Sequence, residues 1–300
     1  MIFNLGSINI DHVYRVPHLP APGETLAALG YAVGLGGKGA NQSVAAAQAG
    51  ARVLHLGAVG AEGLWARDRL AGLGVDVAEV AVLDVPTGHA IITVDPGAEN
   101  SIVLLAGANR ALDLGTVQAA LAGIGPADTL MVQNETAHAP AAAALARARG
   151  ARVICSAAPF DAAAVQAMLA HTSILVLNAV EADQLCAALG CPLAGVPVPE
   201  LLVTRGKDGA EWVSNATGAR ERVAAMTVEA VDTTGAGDTF TGYFAAALDA
   251  GQGPAGALRL AAAAAALKVT RAGAAEAIPA LAEVREFLSR QGGSRASRCR

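Results

Sequence analysis

Three observations predict an α/β fold: a three-layer sandwich with a central, mostly parallel sheet between helices and a small β lid. Short runs of β-forming residues alternate with helical segments along most of the chain, which is typical of parallel sheets. With 300 residues, of which 53% are hydrophobic and only 3% aromatic, the chain can bury a large aliphatic core. No linker-like, low-complexity or repeated stretch divides it, so we predict one domain over residues 1–300.

The predicted elements follow one another in a regular order. Residues 2–9 form a short apolar run that suits a first central strand, and a helix at 40–49 ends where Gly50 can take a left-handed conformation. A second helix, at 64–73, ends in the same way before Gly74. The other predicted strands are 53–59, 129–132, 152–155, 173–177, 201–204 and 210–214, and the other predicted helices are 140–149, 162–169, 181–189, 239–250 and 255–269.

Two segments depart from this alternation. The first, at about 12–35, is rich in Pro and Gly and shows no helical period, which favours short extended pieces joined by turns. The second, at about 86–106, contains two extended runs on either side of Asp95-Pro96-Gly97, a strong turn signal. We expect the two segments to pair with each other as a small β lid inserted in the domain.

Composition and charge argue against several classes of partner. The net charge is −5 and the body of the chain has no Lys/Arg cluster, so we expect no nucleic-acid partner; the one dense basic run is the tail at 294–300. The most apolar run, 260–267, is too short to span a membrane, and the first residues contain no secretion signal. None of the four cysteines forms a CxxC pair, which indicates reduced thiols and a cytoplasmic protein.

The first of two glycine-rich segments is Gly36-Gly37-Lys38-Gly39-Ala40-Asn41-Gln42. Residues 34–39 also fit the G-x-G-x-x-G pattern of dinucleotide-binding folds, but they do not directly follow the first strand, and no acidic residue lies about 20 positions further on. The segment is not a P-loop either, because Gly39 follows the lysine where Ser or Thr is required. Consecutive glycines let a backbone approach a ligand, and Asn41 could bind a polyol; a tight loop before a helix is the alternative.

The second segment, Val231 to Phe240, has the sequence VDTTGAGDTF and leads into a helix. Backbone N–H groups of a Gly-Ala-Gly turn at a helix N-terminus point one way, and the helix dipole adds positive potential there, which suits a transferring phosphoryl group. Asp238 could be an ordinary helix cap, but a cap does not explain the two glycines before it. We therefore predict that Asp238 is a catalytic base, ionised at neutral pH.

Together the two segments resemble the N-terminal and C-terminal signatures of the ribokinase or PfkB family of carbohydrate kinases. The resemblance continues through most of the chain, in the stretches LGSINID, PGETL, TGHAIITVDPGAENSIVLLAGAN and KVTRAGA. It implies a ribokinase-like sandwich, ATP and Mg²⁺ as cofactors, and a β lid that closes over the sugar and forms a homodimer contact.

The resemblance also implies roles for individual residues. The base would be Asp238, and the anion hole would consist of Gly235, Ala236 and Gly237. The sugar would be bound by Asn9, Asp11, Gly37, Lys38, Asn41, Glu135 and Asp238. The nucleotide would be bound by Asn178, Thr204, Gly206, Gly209 and Gly237, and Glu181 would organise Mg²⁺ through water.

A monovalent cation, usually potassium, is implied beside the anion hole. Its ligands would be the side chain of Asp232 and the carbonyl groups of Thr234, Lys268, Arg271 and Gly273. Ala277 stands where the family often has a Ser that helps hold the cation, and Ala262 where a polar residue often faces the adenine. These departures leave potassium activation and nucleotide preference open, as does the short, Pro-rich stretch at 190–200.

The reaction that the resemblance implies is phosphorylation of D-ribose at O5 by MgATP, with Asp238 accepting the hydroxyl proton. A kinase for another sugar, a sugar acid or a nucleoside is the alternative within the same fold. A non-catalytic sugar or nucleotide sensor is the alternative of another class, since it would bind ribose and release no ADP. A nucleotide-dependent oxidoreductase would need NAD binding, which the context of the first glycine-rich segment does not support.

Overall fold

A computed structural model describes residues 1–97 and 99–296, with side chains as far as Gln291. The strands are β1 (Ile2–Leu5), β2 (Asn9–Arg15), β3 (Gly30–Gly36), β4 (Val53–Gly60), β5 (Asp76–Leu83), β6 (Gly88–Val94), β7 (Asn100–Leu105), β8 (Thr129–Gln133), β9 (Arg152–Ser156), β10 (Ile174–Asn178), β11 (Glu200–Thr204), β12 (Ala210–Ser214) and β13 (Arg220–Val223). The helices are α1 (Lys38–Gln48), α2 (Leu64–Gly72), α3 (Leu114–Ala120), α4 (Ala139–Ala148), α5 (Ala162–Leu169), α6 (Ala179–Leu189), α7 (Ala236–Asp249), α8 (Pro254–Lys268) and α9 (Leu281–Ala296).

A nine-stranded sheet forms the centre of the molecule, in the order β13-β12-β11-β10-β9-β8-β1-β4-β5. Neighbouring strands in this order pair in parallel across β11, β10, β9, β8, β1, β4 and β5. Strands β12 and β13 add an antiparallel edge. Helices cover both faces, so β1 is buried along its whole length: Ile2 packs among residues of α1, α7 and α8, whereas Phe3 and Leu5 pack among residues of α3 to α6. The predicted α/β sandwich is confirmed.

A separate four-stranded sheet has the order β3-β2-β6-β7. Strand β2 pairs antiparallel with β3 and parallel with β6, so the two segments that broke the alternation do associate. β6 and β7 form a hairpin around the turn at Asp95, whose Oδ1 accepts hydrogen bonds from Gly97 N at 2.8 Å and Glu99 N at 3.0 Å. The predicted small sheet is therefore present.

Several boundaries differ from the sequence prediction. The first central strand ends at Leu5 and not at Asn9, because Asn9 already pairs with Gly36 and Gly88 in the small sheet. Strands β5 and β13 were not predicted, since both lie at sheet edges where polar side chains face solvent. Helices α3 and α9 were also missed; α3 is capped by Asp113, whose side chain accepts from Thr116 N.

The described end of the chain is helical. Helix α9 runs to Ala296 and includes the start of the predicted basic tail, and residues 297–300 lie outside the described part. Among the helices described, none combines the length and the hydrophobicity needed to cross a membrane.

Candidate active site

The first glycine-rich segment packs against the link between β1 and β2. A Cβ atom on Gly39 would lie 2.3 Å from Gly6 Cα, and one on Gly37, where φ is +94°, would lie 2.8 Å from the Ser7 carbonyl oxygen. The close approach that these two glycines allow is therefore to the chain's own backbone. This packing fixes the start of α1 beside Asn9. The first glycine-rich segment and the residues that follow β1 therefore meet at one edge of the central sheet.

Acidic side chains gather at this edge. Glu135, which follows β8, accepts hydrogen bonds through Oε2 from Ser7 Oγ and from Lys38 N at 3.1 Å. Asp11, on β2, lies against Gly36 and near Glu135. Burial and, second, the charge of Glu135 raise the pKa of Asp11 to about 6. In the described chain, Glu135 Oε1 and the Asp11 carboxylate accept no hydrogen bond, so they are suited to binding the hydroxyl groups of a sugar.

Asn9 is held by a residue to which the sequence analysis assigned no role. The buried Asn109 donates through Nδ2 to Asn9 Oδ1 at 2.8 Å and accepts through Oδ1 from Ile8 N at 2.9 Å. These contacts leave the Asn9 amide group to serve as a donor. Asn109 was missed because its partners lie 100 residues away in sequence.

Asp238 lies in the first turn of α7 and joins that helix to α1. Its carboxylate accepts from Asn41 Nδ2 at 3.1 Å and from Gln42 Nε2 at 3.0 Å. Burial raises the pKa of Asp238, while the Lys38 ammonium and the two amide donors oppose the rise. Asn41 Oδ1 is buried and has no hydrogen-bond partner among the described residues, so it is available to a ligand. The predicted base thus lies beside Asn41, one of the residues predicted to bind the sugar.

Gln42 was not predicted as a site residue, although it begins a buried polar chain behind the base. Gln42 Oε1 accepts from Gln133 Nε2 at 2.8 Å. Gln133 Nε2 also donates to Asn4 Oδ1 at 3.0 Å. Asn4 Nδ2 donates to Ser43 Oγ at 2.7 Å, and Ser43 Oγ lies 2.8 Å from His55 Nδ1. Burial lowers the pKa of His55 to about 4, so its imidazole is neutral at physiological pH. In the sequence, the sign of this buried network is that polar residues such as Asn4 and Gln133 lie within otherwise apolar strands.

A cleft of about 190 Å³ opens over the predicted anion hole. Gly235 caps α7 with φ of +70°, and the backbone of Ala236 and Gly237 follows in the first helical turn. Ala236 N donates to the Thr233 carbonyl oxygen at 3.2 Å, whereas the N–H groups of Gly235 and Gly237 have no partner in the part of the chain that the structure describes. These groups and the positive helix-dipole potential favour an anion at this position. Residues lining the cleft include Lys38, Asn178, Glu181, Thr204, Gly237 and Asp238.

A larger cavity, of about 390 Å³, adjoins this cleft and shares Thr204, Thr233, Ala236 and Gly237 with it. Its lining is mostly apolar and includes Phe240 and Ala262, so it suits a flat heterocyclic base. Gly206 and Gly209 lie on its wall, as the nucleotide-binding prediction requires. At Gly209, where φ is +95°, a Cβ atom would lie 2.0 Å from the Val223 carbonyl oxygen.

Asn178 and Glu181 form a capping box at the start of α6. Asn178 Oδ1 accepts from Glu181 N at 2.9 Å, and Glu181 Oε2 accepts from Asn178 N at 2.8 Å. These two residues therefore cap the helix, and they also line the cleft. Within the described part of the chain, the second carboxylate oxygen of Glu181 has no protein partner, so it remains available to water around a metal ion.

The residues predicted to hold a monovalent cation lie together behind the anion hole. Asp232 accepts from Thr234 N through Oδ1 and from Gly273 N through Oδ2, both at 2.9 Å. The Lys268 ammonium donates to the Asp232 carbonyl oxygen at 3.0 Å, and the Arg271 side chain pairs with Glu283. In residues 1–97 and 99–296, no cluster of three His, Cys, Asp or Glu side chains could hold a metal ion.

Comparisons with known proteins identify the family of this chain. The family profile described as "pfkB family carbohydrate kinase" matches residues 1–281. A ribokinase from Haemophilus influenzae is 36% identical over 299 residues, covering 95% of this chain and 97% of the relative. A ribokinase from Bacillus subtilis is 35% identical over 293 residues, covering 95% and 98%.

Two solved structures show the same fold with ligands. The ribokinase from Cryptococcus neoformans var. grubii in complex with ADP has a TM-score of 0.84 at 31% identity, covering 95% of this chain and 98% of that one. The Arabidopsis thaliana ribokinase complexed with ribose and ATP has a TM-score of 0.82 at 28% identity, covering 96% and 98%. The chain therefore belongs to the pfkB family of carbohydrate kinases.

Proposed function

We propose that this protein is an ATP-dependent kinase that phosphorylates D-ribose at O5. The observation that carries the proposal is the position of Asp238, which is hydrogen-bonded to α1 on the sugar side and lines the cleft that leads to the apolar cavity. The ribokinase relatives support the choice of ribose and ATP, because the structure of the Arabidopsis thaliana ribokinase contains both. No further observation favours a sensor or an oxidoreductase.

In the proposed reaction, ribose lies between the small sheet and the start of α1. Asn9, Asp11, Asn41 and Glu135 would bind its hydroxyl groups, with the backbone at Gly37 and the Lys38 side chain close by. Asp238 would accept the O5 proton as the oxygen attacks the γ-phosphorus in line. The anion hole of Gly235, Ala236 and Gly237 would stabilise the charge that develops on the transferring group.

The nucleotide would lie across the two adjoining cavities. Its base would occupy the apolar cavity beside Ala262, and its phosphates would pass Thr204, Gly206 and Gly209 towards Gly237. Asn178 and Glu181 would face the phosphates from the opposite wall. Mg²⁺ bound to ATP fits this site, because such ions keep several waters and need only one or two carboxylates. Glu181 would hold that water shell, and the ion would neutralise phosphate charge.

We further propose that the small sheet is a lid and that it forms a homodimer contact. Its face opposite Asn9 and Asp11 exposes large apolar side chains, which are unusual on a monomer surface when contiguous. These residues include Tyr31 at 55% exposure, Val33 at 45%, Ile91 at 43%, Val103 at 63% and Leu105 at 46%. Lid closure would exclude water from the phosphate. A cytoplasmic location is supported by the free thiols of Cys155, Cys186 and Cys191.

A substrate panel tests the proposed reaction. ADP release should be fastest with D-ribose and MgATP, compared with 2-deoxyribose, other pentoses, hexoses, sugar acids and nucleosides. The proposal fails if a nucleoside or hexose gives a higher kcat/KM than ribose, or if ribose binds without any ADP release. Product analysis by phosphorus NMR would assign the phosphorylated oxygen.

Asp238→Asn tests the base. The variant keeps the size of the side chain but cannot accept a proton, so turnover should fall by about 10²- to 10⁴-fold while ribose affinity changes little. Calorimetry of ribose binding and steady-state kinetics separate the two effects. Near-normal turnover in this variant would remove Asp238 from the role of base.

A further inference from the structure

Lys268 is a charged residue in an unusual place. It lies at the end of α8, its exposure is 0%, and it ranks among the largest fully buried side chains of the described residues. Burying an ammonium group costs several kcal/mol unless hydrogen bonds or opposite charge compensate. A lysine kept in such a position therefore calls for a specific role.

The contacts of Lys268 connect it to the anion hole. Its ammonium donates to the Asp232 carbonyl oxygen at 3.0 Å, and the Asp232 carboxylate is near enough to interact with it electrostatically. The backbone of Val231 and Asp232 also donates to Val269 O, so this segment is tied to the end of α8 at several points. Asp232 directly precedes the loop 233–237 that caps α7.

The same contacts do not fit a free potassium ion. A cation bound to Asp232 would lie close to the Lys268 ammonium, whose charge already interacts with that carboxylate, and like charges repel each other. Each carboxylate oxygen of Asp232 already accepts one backbone N–H group, which reduces its remaining acceptor capacity, and Ala277 offers no side-chain oxygen.

We propose that the Lys268 ammonium is a built-in monovalent cation that replaces the potassium ion implied by the resemblance. It holds the backbone at Asp232 and supplies positive charge behind the loop 233–237, so that the loop presents its N–H groups to phosphate without an added ion. Lys268 is thus a positioning residue that acts through the anion hole. The inference rests on the proposed kinase function.

The test compares the wild-type protein with Lys268→Met, which keeps the length of the side chain and removes its charge. Wild-type turnover with ribose and MgATP should change less than about twofold when sodium is replaced by potassium at constant ionic strength. In sodium, Lys268→Met should lose about 10- to 100-fold in kcat, as outer-shell variants of ion sites do. Potassium or ammonium should restore part of this loss, and ADP affinity measured by calorimetry should follow the same pattern.

Tyr243→Phe is the matched control. It removes another buried hydrogen bond of this region, from Tyr243 Oη to the Pro279 carbonyl oxygen at 2.5 Å, without removing a charge. This variant should be less stable and yet remain indifferent to potassium. Activation of the wild type by potassium of more than about tenfold, or normal kcat of Lys268→Met in sodium, would overturn the proposal.

Two outcomes need separate readouts. If Lys268→Met does not fold, the potassium titration of the wild type decides the question by itself. If the wild type does not phosphorylate ribose, its ADP affinity in sodium and in potassium still tests the role of Lys268. In that case an ADP affinity that does not depend on potassium supports the built-in cation, although the proposed sugar reaction fails.

Discussion

At the scale of single residues, the site combines structural and chemical duties in the same side chains. Asn41 donates to Asp238 through its amide nitrogen, while its buried carbonyl oxygen has no partner in the described part of the chain. Asn178 and Glu181 cap α6 and also line the cleft. For the segment around Asn41, the sequence analysis treated ligand binding and a purely structural loop as alternatives. In the folded chain, one side chain can fulfil both roles.

The raised pKa of Asp11 predicts a pH-dependent gain from Asp11→Asn. The native carboxyl group, with a pKa of about 6, binds its proton more tightly than the unfolded chain does at the ordinary value of 3.8. Stability therefore falls as pH rises between these values, and the whole penalty is present above about pH 6. Relative to the wild type, the variant should gain about 1–3 kcal/mol more at about pH 8 than at about pH 4.

Urea unfolding of both proteins at the two pH values measures this difference. A stability difference that is the same at both values would show that Asp11 has no raised pKa in the native state. The comparison does not depend on what the Asn side chain contributes by itself, because that contribution is nearly the same at both pH values.

The sequence allowed some residue contacts to be predicted and hid others. The approach of Asp238 to the segment around Asn41 was predicted, because both glycine-rich segments have local signatures. The roles of Asn109 and Gln133 were not, because each acts through a partner about 100 residues away that no local pattern reveals. Their polar side chains at buried positions were the only hint.

At the scale of elements, two glycines in the signatures have opposite surroundings. Gly39, in the first turn of α1, leaves no room for a Cβ atom, which would meet Gly6 Cα and Ser7 N at 2.3 Å. Gly237, in the first turn of α7, has nothing within 4 Å of a Cβ position. One glycine therefore serves packing between elements, and the other keeps the surface of the anion hole open.

This contrast predicts different effects of substitution by Ala. Gly39→Ala should destabilise the protein by about 3 kcal/mol, because backbone atoms on both sides must move. Gly237→Ala should leave stability within about 0.5 kcal/mol and still reduce turnover, since a methyl group would stand between the backbone and the phosphate. Melting temperature and kcat measured on both variants check the pair. Equal loss of stability in the two would contradict the packing argument.

Element boundaries were predictable where burial is uniform. The strands and helices of the sheet centre were predicted within a few residues, because apolar runs and glycine caps mark them. Strand β5 and strand β13 were missed since edge strands carry polar residues such as Glu79 and Glu221, which weaken the pattern. The end of β1 was misplaced because the apolar run continues through Ile8, although the backbone leaves the sheet at Gly6.

At the scale of the whole molecule, the exposed face of the small sheet predicts a dimer that a single charge should weaken. Val103, which is 63% exposed, lies on that face, so Val103→Glu should shift the protein towards a monomer in light scattering. Val82, on the edge strand β5 of the central sheet, is 47% exposed and provides the control. A wild type that is monomeric at micromolar concentration, or an equal effect of Val82→Glu, would contradict the proposed contact.

Strand β2 has a further consequence for such a dimer. Asn9 and Asp11 point to the side of this strand that we propose holds the sugar, whereas His12 and Tyr14 point to the opposite side, where both rings contact Tyr31. Any shift of the strand that tightens the hold on ribose must also move the rings that a second subunit would touch. Ribose should then strengthen subunit association by the same factor by which association strengthens ribose binding, so dilution alone should weaken the apparent affinity for the sugar.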